Sequence, residues 1–131
     1  MLVLLSALIT AWRALSNDAE HTALELAGLR ITEQANRYKQ QWILQDRPPQ
    51  LYLGQDWIAV QHGWLFPTQD QRVDCHALLA LLNPQRQILA QMPSVTSVDF
   101  AQGYRCTYQY GVSAQLSVEL RAGHFAVYLK L

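Results

Sequence analysis

The sequence contains few charged residues and no excess of either sign. Of its 131 residues 15% are charged, ten basic side chains balance ten acidic ones, and the lysines are Lys39 and Lys130. A surface that binds nucleic acid needs a concentrated surplus of basic side chains, so we expect no nucleic-acid partner. Half of the residues are hydrophobic, which excludes an intrinsically disordered chain and is sufficient for the core of one domain.

The sequence also lacks the spacings that usually mark a metal, cofactor or catalytic site. Its four histidines show neither HxH nor HxxxH spacing, there is no CxxC pair, and no glycine-rich loop could hold a phosphate. Cys75 and His76 beside Asp74 resemble a nucleophile group, but a cysteine that opens an apolar helix is more often half of a disulfide when a second cysteine is present. We therefore expect a protein that is not an enzyme and that holds no cofactor or metal.

Cysteine is rare, with Cys75 and Cys106 as the two copies. One disulfide is the simplest interpretation, and two buried free thiols in a reducing compartment are the alternative. A bond between them would contribute about 3.5 to 4 kcal/mol in the loop-entropy description. It would also indicate an oxidising compartment such as the periplasm.

No charged residue occurs in residues 1–12, MLVLLSALITAW. As a helix this segment is about 18 Å long, which is shorter than the roughly 30 Å hydrocarbon core of a bilayer. We expect residues 1–15 to be a membrane-seeking segment, part of a transmembrane helix that begins upstream of Met1. A signal peptide and a buried N-terminal helix are the alternatives. The residues expected in the membrane are Leu2, Leu4, Leu5, Leu8 and Ile9.

Residues 19–45 contain no proline, and their apolar positions recur at steps of three and four. This pattern predicts an amphipathic helix at about residues 17–46, which ends before Pro48. The helix either begins at Asn17, which forms a capping-box pattern with Glu20, or continues from Met1. The face expected to pack against a sheet consists of Leu24, Ile31, Ala35, Tyr38 and Trp42.

The sequence from residue 50 to residue 131 predicts a sheet region with one short helix at residues 75–82 and a loop at residues 63–74. Alternation with a period of two is typical of antiparallel strands. The predicted strands are residues 51–53, 57–60, 104–110, 115–120 and 125–131. A helix followed by a meander of strands indicates an α+β fold with the helix on one face of the sheet.

Aromatic residues are the remaining candidates for a binding site. Trp57, Trp64, Tyr104, Tyr108 and Tyr110 could form a platform on which sugars or peptides stack. Aromatic alternation along a strand more often builds the core and cross-strand pairs. We therefore expect these residues to belong mainly to the fold.

This layout resembles that of the type IV pilins and pseudopilins. Residues 60–67 (VQHGWLFP) are similar to the Gly-Trp-Pro turn of several minor pilins, and residues 75–82 (CHALLALL) to their Cys-x-x-Leu helix. Residues 106–110 (CTYQY) are similar to their Cys-x-Tyr-x-Tyr strand. Within that superfamily, residues 12–16 (WRALS) and 38–42 (YKQQW) most resemble the MshF family of MSHA (mannose-sensitive haemagglutinin) pilus biogenesis.

The resemblance implies a pilin-like fold with one disulfide, held in the inner membrane by a single N-terminal span with the domain in the periplasm. It implies a non-enzymatic role in pilus biogenesis, with other pilins and inner-membrane assembly proteins as partners. The prepilin signature, a glycine followed by Phe-Thr-Leu-Ile-Glu, does not occur in residues 1–12. This difference favours an accessory, membrane-held role over ordinary incorporation into the fibre. A minor pseudopilin of a type II secretion system and a small secreted binding module or hydrolase are the alternatives.

Overall fold

The computed structural model describes the backbone of residues 2–130 and the side chains of residues 5–8 and 21–130. Over this backbone the chain forms one long helix, one short helix and nine strands. The helices are α1 (Leu2–Leu44) and α2 (Cys75–Leu82). The strands are β1 (Gln50–Leu53), β2 (Asp56–Gln61), β3 (Trp64–Leu65), β4 (Thr68–Gln69), β5 (Arg72–Val73), β6 (Ser94–Phe100), β7 (Gly103–Tyr110), β8 (Ala114–Arg121) and β9 (His124–Lys130).

The last four strands form an antiparallel meander in the order β6-β7-β8-β9. Their register pairs Tyr104 with Leu120, and Leu120 with Phe125, so residues of adjacent strands that pack in the core lie side by side. Strands β1 to β3 form a separate three-stranded sheet, and β4 and β5 form a hairpin. The molecule is therefore a mixture of helix and antiparallel sheet, of the α+β class expected from the sequence.

The segment at residues 63–74 is more regular than the predicted loop. It contains β3, β4 and β5, each of two residues. Strands this short show no periodicity in a sequence and depend on partners elsewhere in the fold. One such partner is the Asp99 carboxylate on β6, which accepts a hydrogen bond of 2.9 Å from the Val73 backbone N–H on β5.

Helix α1 is continuous from Leu2 and does not begin at Asn17; the side chains of the capping-box residues lie outside the described residues. The helix ends at Leu44, slightly before the expected end at residue 46. Asp46 and Arg47 have positive φ angles of 64° and 54°, and the Arg47 N–H donates to the Trp42 carbonyl over 2.9 Å. This left-handed ending satisfies a terminal carbonyl and keeps the residue before Pro48 out of the helical conformation.

The stripe predicted on α1 lies against the rest of the domain. Leu24, Ile31 and Ala35 are 0, 1 and 4% exposed, while Tyr38 and Trp42 are partly buried against the same core. The helix contacts β8, β9, β3 and α2 along this side. Trp42 is anchored at its edge, because its indole N–H donates to the Pro48 carbonyl over 2.7 Å.

Core-facing side chains of strand β7 form hydrogen bonds with the connection between β2 and β6. The Tyr104 hydroxyl donates to the Leu65 carbonyl (2.7 Å), Tyr108 to the Cys75 carbonyl (2.6 Å) and Tyr110 to the Arg86 carbonyl (3.0 Å). A buried carbonyl needs such a donor, since leaving it unpaired costs about 1–3 kcal/mol. Alternate residues of one strand thus attach three successive parts of the connection between β2 and β6.

The burial of these phenols predicts a loss of stability at alkaline pH. Burial raises the pKa of Tyr110 to about 12, and it raises the pKa of Tyr104 and Tyr108 further, with neighbouring phenols and the Asp74 carboxylate adding to the shift at Tyr108. The unfolded chain releases these protons near pH 10 and the folded chain does not. The free energy of unfolding should therefore be unaffected by these groups below about pH 10 and fall above it, by about 1.4 kcal/mol per pH unit for each phenol.

Urea unfolding at pH 8, 10 and 11, with tyrosinate absorbance at 295 nm recorded in parallel, measures this loss. Tyr110→Phe should reduce the slope above pH 10 by roughly one third, because one of the three shifted phenols is removed. Equal stabilities at pH 8 and pH 11 would contradict the prediction.

Candidate functional site

Four exposed leucines lie on the side of α1 that faces away from the core. Leu8, Leu26, Leu29 and Leu44 are 67, 46, 67 and 84% exposed. The first, second and last of them are spaced by 18 residues, about five helical turns, so they share one side of a regular helix. Leu26 is two residues beyond the buried Leu24, which places it about 200° around the helix from the core. We refer to these four residues as the outer leucine face.

The N-terminal part of α1 has exposed side chains where the structure describes them. Leu5 and Leu8 are 55 and 67% exposed, whereas Leu24 is fully buried. The distance along the helix from Leu8 to Leu24 is about 24 Å. The side chains of Leu2, Leu4 and Ile9, which the sequence also assigns to the membrane, lie outside the described residues. No helix meets the length and hydropathy needed for a transmembrane span within the part of the chain that the structure describes.

An open groove of about 330 Å³ lies beside the outer leucine face, between α1 and the edge strand β9. Leu29 contributes to both surfaces, and Val127 and Leu129 form the β9 side of the groove. Gly28 lies against this strand, and a Cβ atom at this position would be in ordinary van der Waals contact, at 3.4 Å, with Cδ2 of Leu129. The Thr32 hydroxyl donates to the Gly28 carbonyl over 2.9 Å, so this polar group is satisfied within the helix, and Glu25 is the charged residue that lines the groove.

The electrostatics of this side of the helix are weak. Arg37 and Glu33 form an ion pair of 2.7 Å, but both side chains are about two-thirds exposed, at 67 and 64%. An exposed pair at this spacing contributes only about 0.3–0.5 kcal/mol. The exposed leucines of this side therefore lie beside the exposed charged residues Arg30, Glu33 and Arg37, and they supply its uncovered apolar area.

Cys75 and Cys106 form the disulfide that the sequence predicts, with a Cα–Cα distance of 5.5 Å. Both residues are buried. The Asp74 carboxylate is the N-cap of α2 and accepts a hydrogen bond of 3.0 Å from the Ala77 N–H. The Cys75 sulfur is thus part of a disulfide rather than a nucleophile beside His76. Among the described residues no group of three His, Cys, Asp or Glu side chains is arranged to hold a metal ion.

The aromatic residues do not form one platform. Trp64 is stacked on Phe125 with ring centroids 4.9 Å apart and an angle of 14°, and the Lys39 ammonium lies 4.3 Å from the Trp64 ring centroid. Trp57 is 65% exposed and contacts Tyr52 at 5.3 Å between centroids. The three tyrosines of β7 lie in the core, because alternate residues of a strand share one face.

The sequence interpretation missed the outer leucine face. The sequence did contain a signal for this face, because its leucines are spaced by 18 and by three residues. A search for a single apolar stripe on the helix identifies the stronger stripe, which faces the core.

No protein-family model matches the chain, and no curated protein and no solved structure was found to be similar to it.

Proposed function

We propose that this chain is a non-enzymatic, pilin-like component of type IV pilus biogenesis of the MSHA type. Residues 1–15 anchor it in the inner membrane and the domain lies in the periplasm. Its partners are other pilins and the inner-membrane proteins that assemble them. The protein works by packing and recognition, since its N-terminal helix aligns with the corresponding helices of its partners.

The observation that carries this proposal is the division of α1 into two parts. The helix has 43 residues, about 64 Å in length, and the core-facing side chains described on it begin near Leu24. Leu5 and Leu8 are exposed and apolar. A helix that extends its apolar residues well beyond its own domain is suited to packing with helices of other subunits.

The outer leucine face supports the same role on the domain side. Burying one exposed leucine in a partner's surface contributes about 1.5–3 kcal/mol. Because Leu8 and Leu26 lie on the same side of the helix, a neighbouring helix could contact the N-terminal segment and the domain from that one side. The groove beside Leu29 adds residues of β9 to this contact surface.

Removal of residues 1–15 tests the proposal in a strain that exports the truncated protein through a cleavable signal. We expect a folded, soluble domain that no longer supports pilus formation, because the head alone cannot align its helix with those of other subunits. Electron microscopy of pili and assays of surface attachment measure the result. Circular dichroism and the intact Cys75–Cys106 bond of the exported domain establish that it is folded.

Normal pili in that strain would show that the segment is dispensable and would contradict the proposal. Loss of type II secretion with unchanged pili would instead identify a minor pseudopilin. Comparing secreted enzyme activity in the same strain distinguishes these outcomes.

The substitution Leu29→Asp tests the outer leucine face without removing the anchor. Leu29 is 67% exposed, so the charge should change the stability of the isolated protein by no more than about 0.5 kcal/mol. Piliation should nevertheless fall severalfold, because the carboxylate would have to be buried in the contact. Gln87→Asp is the matched control, since it adds the same charge at an exposed polar position outside α1, in the connection between α2 and β6. Equal piliation in the two variants would exclude this face from assembly.

A further inference from the structure

A second surface, which carries charged and hydroxyl side chains, is the side of the meander that faces away from α1. Along β7, β8 and β9, residues that face the core alternate with residues that face outward. Because the strands are paired, the outward-facing residues of the three strands lie next to one another. We refer to this side as the outer sheet face. It carries Arg105, Thr107, Ser117, Glu119, Tyr128 and Lys130. Tyr128 is 56% exposed, and the Arg105 side chain is 42% exposed.

The outer sheet face is cationic in a chain whose formal net charge is zero. Arg105, Arg121 and Lys130 lie on it, and Glu119 is the acidic residue among its described positions. Arg105 and Arg121 both reach Glu119, at 3.5 and 3.1 Å. Lys130 has no ion-pair partner among the described residues. The surplus of positive charge therefore remains open to solvent.

The two arginines are held in place rather than left flexible. Both guanidinium groups lie over the Phe100 ring, at 5.4 Å for Arg105 and 4.2 Å for Arg121. A guanidinium group has five N–H donors in a planar arrangement that matches a carboxylate. Contact with Glu119 uses only part of this capacity, so donors remain for an acidic ligand.

Hydroxyl and aromatic side chains lie on both sides of these charged residues. Two shallow depressions of about 460 Å³ each share Arg105, Glu119 and Tyr128. One extends to Thr107, Ser117 and Lys130, and the other to Arg121 and His124. The Thr107 and Ser117 hydroxyl oxygens are 3.3 Å apart. A ligand that fills both depressions is elongated and carries hydroxyl groups as well as negative charge.

We infer that the outer sheet face binds an acidic polysaccharide, one whose sugars carry carboxylates. Arg105, Arg121 and Lys130 bind the carboxylates, and the side chains of Thr107 and Ser117 exchange hydrogen bonds with sugar hydroxyls. The exposed ring of Tyr128 packs against the apolar face of a sugar ring. Glu119 is paired with Arg105 and Arg121, so the face carries three cations against one anion, which suits the widely spaced carboxylates of a polysaccharide better than the closely spaced phosphates of a nucleic acid. This activity goes beyond the proposed assembly role and does not depend on it.

Binding of fluorescent oligogalacturonate to the full chain in nonionic detergent, followed by fluorescence anisotropy, tests this inference. The fully methyl-esterified oligomer is the matched ligand, because it has the same sugars without the charges. We expect it to bind at least tenfold more weakly. Arg105→Gln and Lys130→Gln should each raise the Kd about tenfold, and Tyr128→Ala should raise it severalfold.

Arg37→Gln is the control variant, since it removes an exposed arginine that lies on α1 and outside the outer sheet face, and it should leave the Kd unchanged. Lys130 lies near the end of an edge strand, where a substitution should not prevent folding. The Lys130→Gln variant therefore still tests the inference if Arg105→Gln fails to fold. The inference is overturned if oligogalacturonate does not bind, if Arg37→Gln weakens binding as much as Lys130→Gln does, or if the methyl ester binds equally well. Equally tight binding of single-stranded DNA at the same residues would also overturn it. Loss of piliation on truncation together with normal oligogalacturonate binding would separate this surface from the assembly role.

Discussion

Substituting Cys106 by serine should lower the free energy of unfolding by about 2–5 kcal/mol. The bond closes a loop between residues 31 positions apart, and the loop-entropy description assigns about 3.7 kcal/mol to a loop of this length. It also joins the start of α2 to β7, beside the hydrogen bond of 2.6 Å from Tyr108 to the Cys75 carbonyl. Breaking the bond therefore loosens the connection between the sheet and the middle of the chain. Urea unfolding measures the loss.

The matched controls for this prediction are Cys75→Ser and the double variant. All three proteins lack the same bond, so their free energies of unfolding should be similar and should not add. Reduction of the wild-type protein should reproduce most of the effect. An unchanged urea midpoint in all three variants would show that the bond contributes nothing to stability.

Gly103→Ala should destabilise the protein by at least about 3 kcal/mol, although glycine here has no unusual φ angle. Gly103 is the first residue of β7 and pairs with Arg121 of β8. A Cβ atom at this position would overlap the carbonyl oxygen of Leu120 and lie 2.7 Å from its carbonyl carbon. Both are backbone atoms, so they cannot rotate away as a side chain would. The two strands would have to separate at the start of their pairing.

Gly28→Ala is the control, since it makes the same change where there is room. Its Cβ atom would lie 3.4 Å from the flexible end of Leu129, and alanine is about 1 kcal/mol more favourable than glycine within a helix. Thermal unfolding should show an unchanged or raised midpoint for Gly28→Ala and a much lower one for Gly103→Ala. Similar midpoints for the two variants would contradict the proposed clash.

Local signals determined several elements of this fold. Helix α2 is predicted with its observed bounds, because the apolar run of residues 75–82 ends at Asn83 and Pro84. The strands β7 and β8 are predicted by alternation of apolar and polar residues. The two-residue strands β3, β4 and β5 were not predicted, since their pairing depends on distant residues such as Asp99.

The sequence by itself determined which residues share a face of each helix and strand, because the helical and strand periods act over neighbouring residues. Only the tertiary structure decided which faces are covered. Leu24 and Leu26 are two residues apart in the chain, yet packing against the sheet buries the first completely and leaves the second 46% exposed. The outer sheet face brings together Arg105, Arg121 and Lys130 from three strands through the register of the meander. No local pattern specifies that register, because it results from the burial of the opposite face against α1.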